Sequence, residues 1–244
     1  MMKFGEFLEK AFFYLSVPKC VSCKERLSRN ERALCGECLD KSMEAMEREC
    51  PMCLKSVTRC LCANKYLETH FVKGHIKLYK YGDSESAKPL NSLIYQIKQG
   101  RREDAFDFLA SELAKATSVH GINLDNALIT YVPRRRSAIL RYGIDHARVL
   151  AERVALLLSV ECMRLLTSTA KTAQKSLAGA ERIANTNYTV VSEPDLSQRT
   201  VIIVDDIVTT GASMGSAAML VRSMGAKDIY ALSVGYAYKQ NKED

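Results

Sequence analysis

Residues 201–213 read Val-Ile-Ile-Val-Asp-Asp-Ile-Val-Thr-Thr-Gly-Ala-Ser, an apolar run that meets two adjacent aspartates and turns through Thr-Thr-Gly into a helical pattern. Val201 to Val204 show no polar alternation, which predicts a strand covered on both faces, as in the parallel sheet of an α/β domain. Met214, Ala217, Ala218, Val221 and Met224 recur at helical spacing, with Ser213 placed to cap the helix and Gly225 to end it. Residues 228–234 supply the next strand. The turn between the first strand and the helix then offers backbone N–H groups and the positive end of the helix dipole to an anion. Gly211 allows a close backbone approach, and Thr209, Thr210 and Ser213 can donate to phosphate oxygens. Asp205 and Asp206 have the wrong sign for that anion. They suit sugar hydroxyls, or a hydrated magnesium ion held near them.

The order of residues resembles the phosphoribosyl pyrophosphate (PRPP) motif of type I phosphoribosyltransferases: apolar strand, Asp205-Asp206, two spacers, Thr209-Thr210-Gly211, the small Ala212, Ser213. Two other readings of an acidic strand end fail on residues. No Gly-Lys pair exists to supply the phosphate loop of an ATPase, and Gly211 to Gly215 do not make a dinucleotide fingerprint.

Eight of the nine cysteines fall in the first 62 residues, as Cys20-x2-Cys23, Cys35-x2-Cys38, Cys50-x2-Cys53 and Cys60-x-Cys62. Close pairs of this kind aim thiolates at one tetrahedral ion. The simplest assignment is two closed four-sulfur sites, Cys20, Cys23, Cys35 and Cys38, then Cys50, Cys53, Cys60 and Cys62. Interleaved pairing is an alternative, and iron–sulfur ligation is the alternative to zinc, although ribbon-like spacing favours zinc. Such sites are structural, because four protein ligands leave no open position. Cys162 reads as core packing. Formal net charge is +7, which two zinc ions on eight thiolates reduce to +3. Residues 1–62 hold 11 basic and 9 acidic side chains, so the metallated segment is net acidic, which argues against a strong nucleic-acid clamp there.

With 244 residues, the chain can hold one substantial core and a small appendage. The expected organisation is an amphipathic helix over 1–18, a double zinc ribbon over 19–64, and an α/β domain of mostly parallel sheet flanked by helices over 65–244. Residues 69–81 suggest a strand pair turning near Lys73-Gly74. Leu90, Leu93, Ile94 and Ile97 mark a helix stopped by Gly100, and Phe106, Leu109, Ala110 and Leu113 mark another. Residues 127–132 form a buried strand closed by Pro133, after which Arg134 and Arg135 suit bidentate contact with pyrophosphate. A helix from near Asp145 would bury Ala147, Leu150, Val154, Leu157 and Leu158. Residues 164–187 read as a flexible loop over the site, with Arg164, Lys171, Gln174, Lys175 and Arg182 able to close on a diphosphate. No secretory signal or transmembrane span is read in the chain, which with the thiols suggests a cytoplasmic protein.

Taken in order, the four cysteine pairs, Tyr81-Gly82, Ile94 to Lys98, Val132-Pro133, Arg141 and Gly143, Gln174 to Asn185 and the PRPP loop resemble the ComF (ComF/GntX) family, over roughly residues 19–236. The resemblance implies a type I phosphoribosyltransferase fold behind a double zinc ribbon, and a role in natural competence, beside a helicase-like ATPase and single-stranded DNA. Where the family commonly reads Arg-Gly-Phe-Asn-Gln, this chain has Tyr142-Gly143-Ile144-Asp145-His146. Those positions are left out of the expected site. A transferase of this class would use Asp205, Asp206, Arg134 and Lys171 in catalysis, and Asp205, Asp206, Thr209 to Ser213, Arg134 and Arg135 to hold PRPP. The other reading is a non-catalytic PRPP-binding or zinc-ribbon module that gates a DNA-handling complex without turnover.

Overall fold

The computed structural model describes residues 18–168 and 188–237. Five parallel strands form the central sheet in the order β1-β7-β6-β2-β3. They are β1 (Gly74–Lys80), β2 (Ala127–Tyr131), β3 (Glu161–Cys162), β6 (Thr200–Val208) and β7 (Asp228–Tyr236). A separate antiparallel pair joins β4 (Leu166–Ser168) to β5 (Tyr188–Val190).

The continuous apolar strands are explained by cover on both faces. Ile129, Ile202, Val204 and Leu232 enter one core, under α3 (Lys88–Lys98), α4 (Glu103–Ser118) and α6 (His146–Leu158). Leu128, Val201, Ile203 and Ala231, which alternate with them, enter a second core with Met214, Ala217 and Val221 of α7 (Ala212–Ser223). Burying each such aliphatic side chain contributes about 1.5–3 kcal/mol.

The cysteine-bearing segment is continuous with both cores. Cys20, Leu34, Cys38 and Met46, the last two on α1 (Gly36–Glu47), join the first core. Val57, Ala63 and Leu67 join the second.

Several local expectations change. Residues 69–81 do not form a strand pair: Asn64 accepts from the Leu67 amide at 2.9 Å and caps a short helix, α2 (Lys65–Thr69), before the single strand β1. Strand β6 does not stop at Val204, because the long partner β7 extends the ladder to Val208–Tyr236. Ser213 lies inside α7, whose N-cap is Gly211 at φ +88°; Gly225, at φ +93°, follows the helix end as expected. Leu157 is exposed, since the inner face of α6 runs through Ala147, Leu150, Ala151, Val154 and Ala155. The arginine segment enters α5 (Arg136–Tyr142), which ends at Gly143 with φ +75°.

Candidate functional site

The chain leaves β2 toward β3 on one side of the sheet and later leaves β6 toward β7 on the other. The crevice outside the carboxyl ends of β2 and β6 is therefore the topological switch point, where open α/β sheets take their ligands. Pro133, Arg134 and Arg135 follow β2, and Thr209 to Ser213 follow β6. The arginines after β2 and the helix-tip loop after β6, distant in sequence, thus flank one crevice.

On the β6 side, a small hollow of about 50 Å³ is lined by Asp205 and by Val208 to Met214. Thr209, Thr210, Ala212 and Ser213 are exposed around it, while Gly211 is buried. The first-turn N–H groups of α7 have no intrahelical partner and open toward this loop. Thr210 shapes it by accepting from the Ala212 amide at 3.3 Å. A side chain at Gly211 would violate both the left-handed backbone and the space, because its Cβ would sit 3.0 Å from Leu67 Cδ2.

The two aspartates part company. Asp206 follows Ile202 and Val204 onto the α3/α6 face, where its Oδ2 lies 2.9 Å from Lys98 Nζ and 2.8 Å from His146 Nε2. Burial pushes this carboxyl up, but the hydrogen bond and charge of His146, with Lys98, outweigh it and hold Asp206 well below the usual range. Asp205 lines the phosphate-loop hollow. Burial, and then the Asp206 charge, push it well above the usual range. The two neighbours are thus pushed in opposite directions, Asp206 toward its ionised form and Asp205 toward its neutral one.

His146 and Lys98 were not expected in the site. The departure at Tyr142 to His146 had been set aside, yet it delivers a buried histidine to Asp206 at the start of α6. The signal available was the pairing of an unusual His with a fixed helix start, Asp145, whose side chain caps α6.

On the β2 side, a cavity of about 1010 Å³ is lined by Arg134, Arg135, Arg136, Arg148 and Arg164, with Tyr131, Asp145 and Glu152 among the rest. Arg135 and Arg136 are exposed. Arg134 is engaged already: its Nη1 donates to the Lys98 and Ile144 carbonyls, each at 3.2 Å, and its guanidinium lies 4.7 Å from the Tyr142 ring centre. Arg164 donates to Thr167 Oγ1 at 2.7 Å. Lys171, Gln174, Lys175 and Arg182, like the amino-terminal helix, lie outside the described residues.

Both cysteine sets assemble as grouped. The ligand atoms of Cys20, Cys23, Cys35 and Cys38 lie within 4.8 Å of one another, and so do those of Cys50, Cys53, Cys60 and Cys62. Four thiols that close fit one tetrahedral ion each, with metal–sulfur bonds of about 2.3 Å. Burial opposes ionisation of Cys20, but backbone N–H groups of Cys35, Cys23 and Ser22 bring it down to about 7. Cys50 is likewise brought to about 7, by the amides of Cys53 and Met52 against burial. Buried Lys77 on β1 donates to the Cys62 carbonyl at 2.7 Å and approaches Cys60 Sγ at 3.5 Å, a cation placed against the second thiolate set.

Residues 138–242 match the phosphoribosyl transferase domain family. The DNA utilization protein YhgH of Shigella flexneri is 28% identical over 152 residues, 60% of this chain and 66% of that protein. The alignment thus spans just under two thirds of that relative's length. Competence protein F of Haemophilus influenzae is 23% identical over 237 residues, 86% of this chain and 93% of that protein. Among solved structures, adenine phosphoribosyltransferase of Thermoanaerobacter pseudethanolicus is 18% identical, covering 60% of this chain and 85% of that one with a TM-score of 0.37.

The fold is of the phosphoribosyltransferase class, a parallel five-stranded sheet flanked by helices, and residues 138–242 match that domain family. Two four-cysteine clusters that fit a double zinc ribbon precede it, and the relatives the chain resembles are named for competence and DNA utilization.

Proposed function

We propose that the protein binds PRPP with magnesium in the crevice between β2 and β6 and transfers its phosphoribosyl group to a nitrogen nucleophile. The observation that carries this reading is the placement of the 209–213 helix-tip loop and the arginines after Pro133 on either side of the switch point. The loop would hold the 5′-phosphate through its amides and the hydroxyls of Thr209, Thr210 and Ser213. Asp205 would accept from the ribose hydroxyls, while Asp206, fixed by Lys98 and His146, sets the field beneath the sugar. In the transfer, the bond from C1 to the pyrophosphate oxygen breaks and its electron pair leaves with pyrophosphate. The nucleophile's nitrogen bonds to C1 and its proton passes to solvent. Arg134, Arg135 and Lys171 would stabilise the leaving group electrostatically. Magnesium, when bound, supplies charge neutralisation on the diphosphate; Asp205 and substrate oxygens are the hard donors suited to it.

Each cysteine set is read as a structural zinc site, with the division at 1–18, 19–64 and 65–244 as the proposed organisation. The relatives' names support a role in handling incoming DNA, with single-stranded DNA and a helicase-like ATPase as proposed partners. Among the described residues, no helix is long and apolar enough to cross a membrane. The cytoplasm, which keeps thiols reduced, is the proposed compartment.

One observation favours a second reading, a PRPP-binding module without turnover. Arg134 is spent on the Lys98 and Ile144 carbonyls rather than presented to a leaving group. Calorimetry with PRPP, with and without magnesium, tests binding. Pyrophosphate release in the presence of bases, nucleosides or DNA then separates the readings: release supports the transferase, and binding without release supports the module.

A further inference from the structure

The two cysteine clusters stand in unequal relation to the phosphate loop. The first is tied to α4: Asp104 Oδ2 accepts from the Ala33 amide at 3.0 Å, and Arg102 donates to the Lys19 carbonyl at 3.0 Å. The second runs directly, through Cys62 and Ala63, into Asn64 and α2. Asn64 Nδ2 donates to the Thr210 carbonyl at 3.0 Å. Fully buried Leu67 packs against Gly211, close enough to exclude any side chain there. Tyr66 and His70, stacked with ring centres 4.0 Å apart, lie against Gly215, where an added Cβ would meet Tyr66 Cε1 at 2.7 Å. The same cluster is anchored from below, since the Leu61 carbonyl accepts from the His75 amide on β1 at 2.9 Å and Lys77 reaches Cys62.

We infer that the second cysteine cluster, once it holds its metal, braces the phosphate loop through Asn64 to His70, whereas the first does not. The reason is geometric. A closed tetrahedral site fixes the backbone at Cys60 and Cys62, and only Ala63 separates Cys62 from Asn64, which bonds the Thr210 carbonyl. Loss of the metal leaves the bonds from β1 to Leu61 and Cys62 but removes the constraint on the Cys60 and Cys62 side chains, and the close packing at Gly211 and Gly215 transmits a shift of the neighbouring helix to the loop. Asn64, Leu67 and Tyr66 are therefore positioning residues for the loop. The functional meaning rests on the phosphate reading of that loop; the mechanical coupling does not.

The test is amide hydrogen exchange on the full chain purified with zinc, with zinc counted for each variant. In Cys53→Ser, which weakens the second site, the hydrogen-bonded amides within 209–215, those of Ala212 and Gly215, are expected to exchange about fivefold faster, the factor for losing one hydrogen bond. In Cys23→Ser, which weakens the first, they should match the native protein. Asn64→Ala, which leaves all eight thiols in place, should speed the same amides with both metals retained, and it decides the matter alone if either cysteine variant fails to fold. Unchanged exchange at 209–215 in Asn64→Ala, or equal acceleration in the two cysteine variants, would overturn the inference. Calorimetry with PRPP is a separate arm: no binding alongside the expected exchange pattern would remove the ligand and leave the brace standing.

Discussion

His146 Nε2 approaches Asp206 Oδ2 to 2.8 Å from the start of a helix that begins 60 residues earlier in the chain. Lys98 Nζ, from α3, meets the same oxygen at 2.9 Å, so the second aspartate of the motif is clamped before any ligand arrives. Removing one clamp should be felt both in stability and in its pH dependence.

His146→Ala is expected to cost about 1–3 kcal/mol at neutral pH, as for a buried group that loses a hydrogen-bond partner. Because the folded Asp206 carboxyl is held low, its ionisation stabilises the protein above the ordinary value of about 3.9, and that contribution is lost as pH falls through the folded value. The gap between native and variant should therefore narrow below about pH 4 in urea unfolding. A gap independent of pH would mean that packing, not charge, is what His146 provides.

Asp205→Asn should move stability the other way. The folded Asp205 carboxyl is raised, so its favourable contribution belongs to low pH and disappears as pH rises through the folded value. At pH 7 the amide relieves an enclosed like-charge contact and should stabilise the ligand-free protein by about 0.5–2 kcal/mol. PRPP binding in calorimetry should fall sharply in the same variant. Retained native affinity would remove Asp205 from the proposed site.

Gly211→Ala combines a left-handed backbone with a 3.0 Å approach to Leu67, and should destabilise by about 1–3 kcal/mol. Shortening the neighbour in Gly211→Ala with Leu67→Ala relieves the clash but not the backbone strain. The double variant should thus lose less than the sum of the two single losses in denaturant unfolding.

The sheet was legible in the sequence wherever burial on two faces produced unbroken apolar runs, as at Val201 to Val204 and 127–132. The turn from β6 through Gly211 into α7 was legible because a helix tip and a glycine announce themselves locally. Lys98 and His146 were not, since each reaches Asp206 only after α3 and α6 pack on the same sheet face. The engagement of Arg134 was hidden for the same reason: its carbonyl partners at Lys98 and Ile144 are set by tertiary packing. The hairpin expected over 69–81 failed because Asn64, outside the apolar pattern, caps a helix that periodicity alone does not reveal.

Lys77→Met should weaken metal retention at the second cluster by about 10–100-fold, as loss of an outer-shell partner does, and leave the first unchanged. Chelator-driven zinc release, followed as two kinetic phases, reads this directly. Equal acceleration of both phases would show that Lys77 supports the fold in general rather than the nearby thiolates.

Strand β1 hydrogen-bonds within the sheet to β7, which comes after every other strand. During synthesis, the stretch from Gly74 to Lys80 must therefore wait on the ribosome for Asp228 to Tyr236 before it gains its neighbour. Contacts of such long sequence separation slow the folding of a nascent chain. Metal capture by the cysteines at its front can precede that event, giving the unfinished polypeptide an ordered head while its sheet is still incomplete.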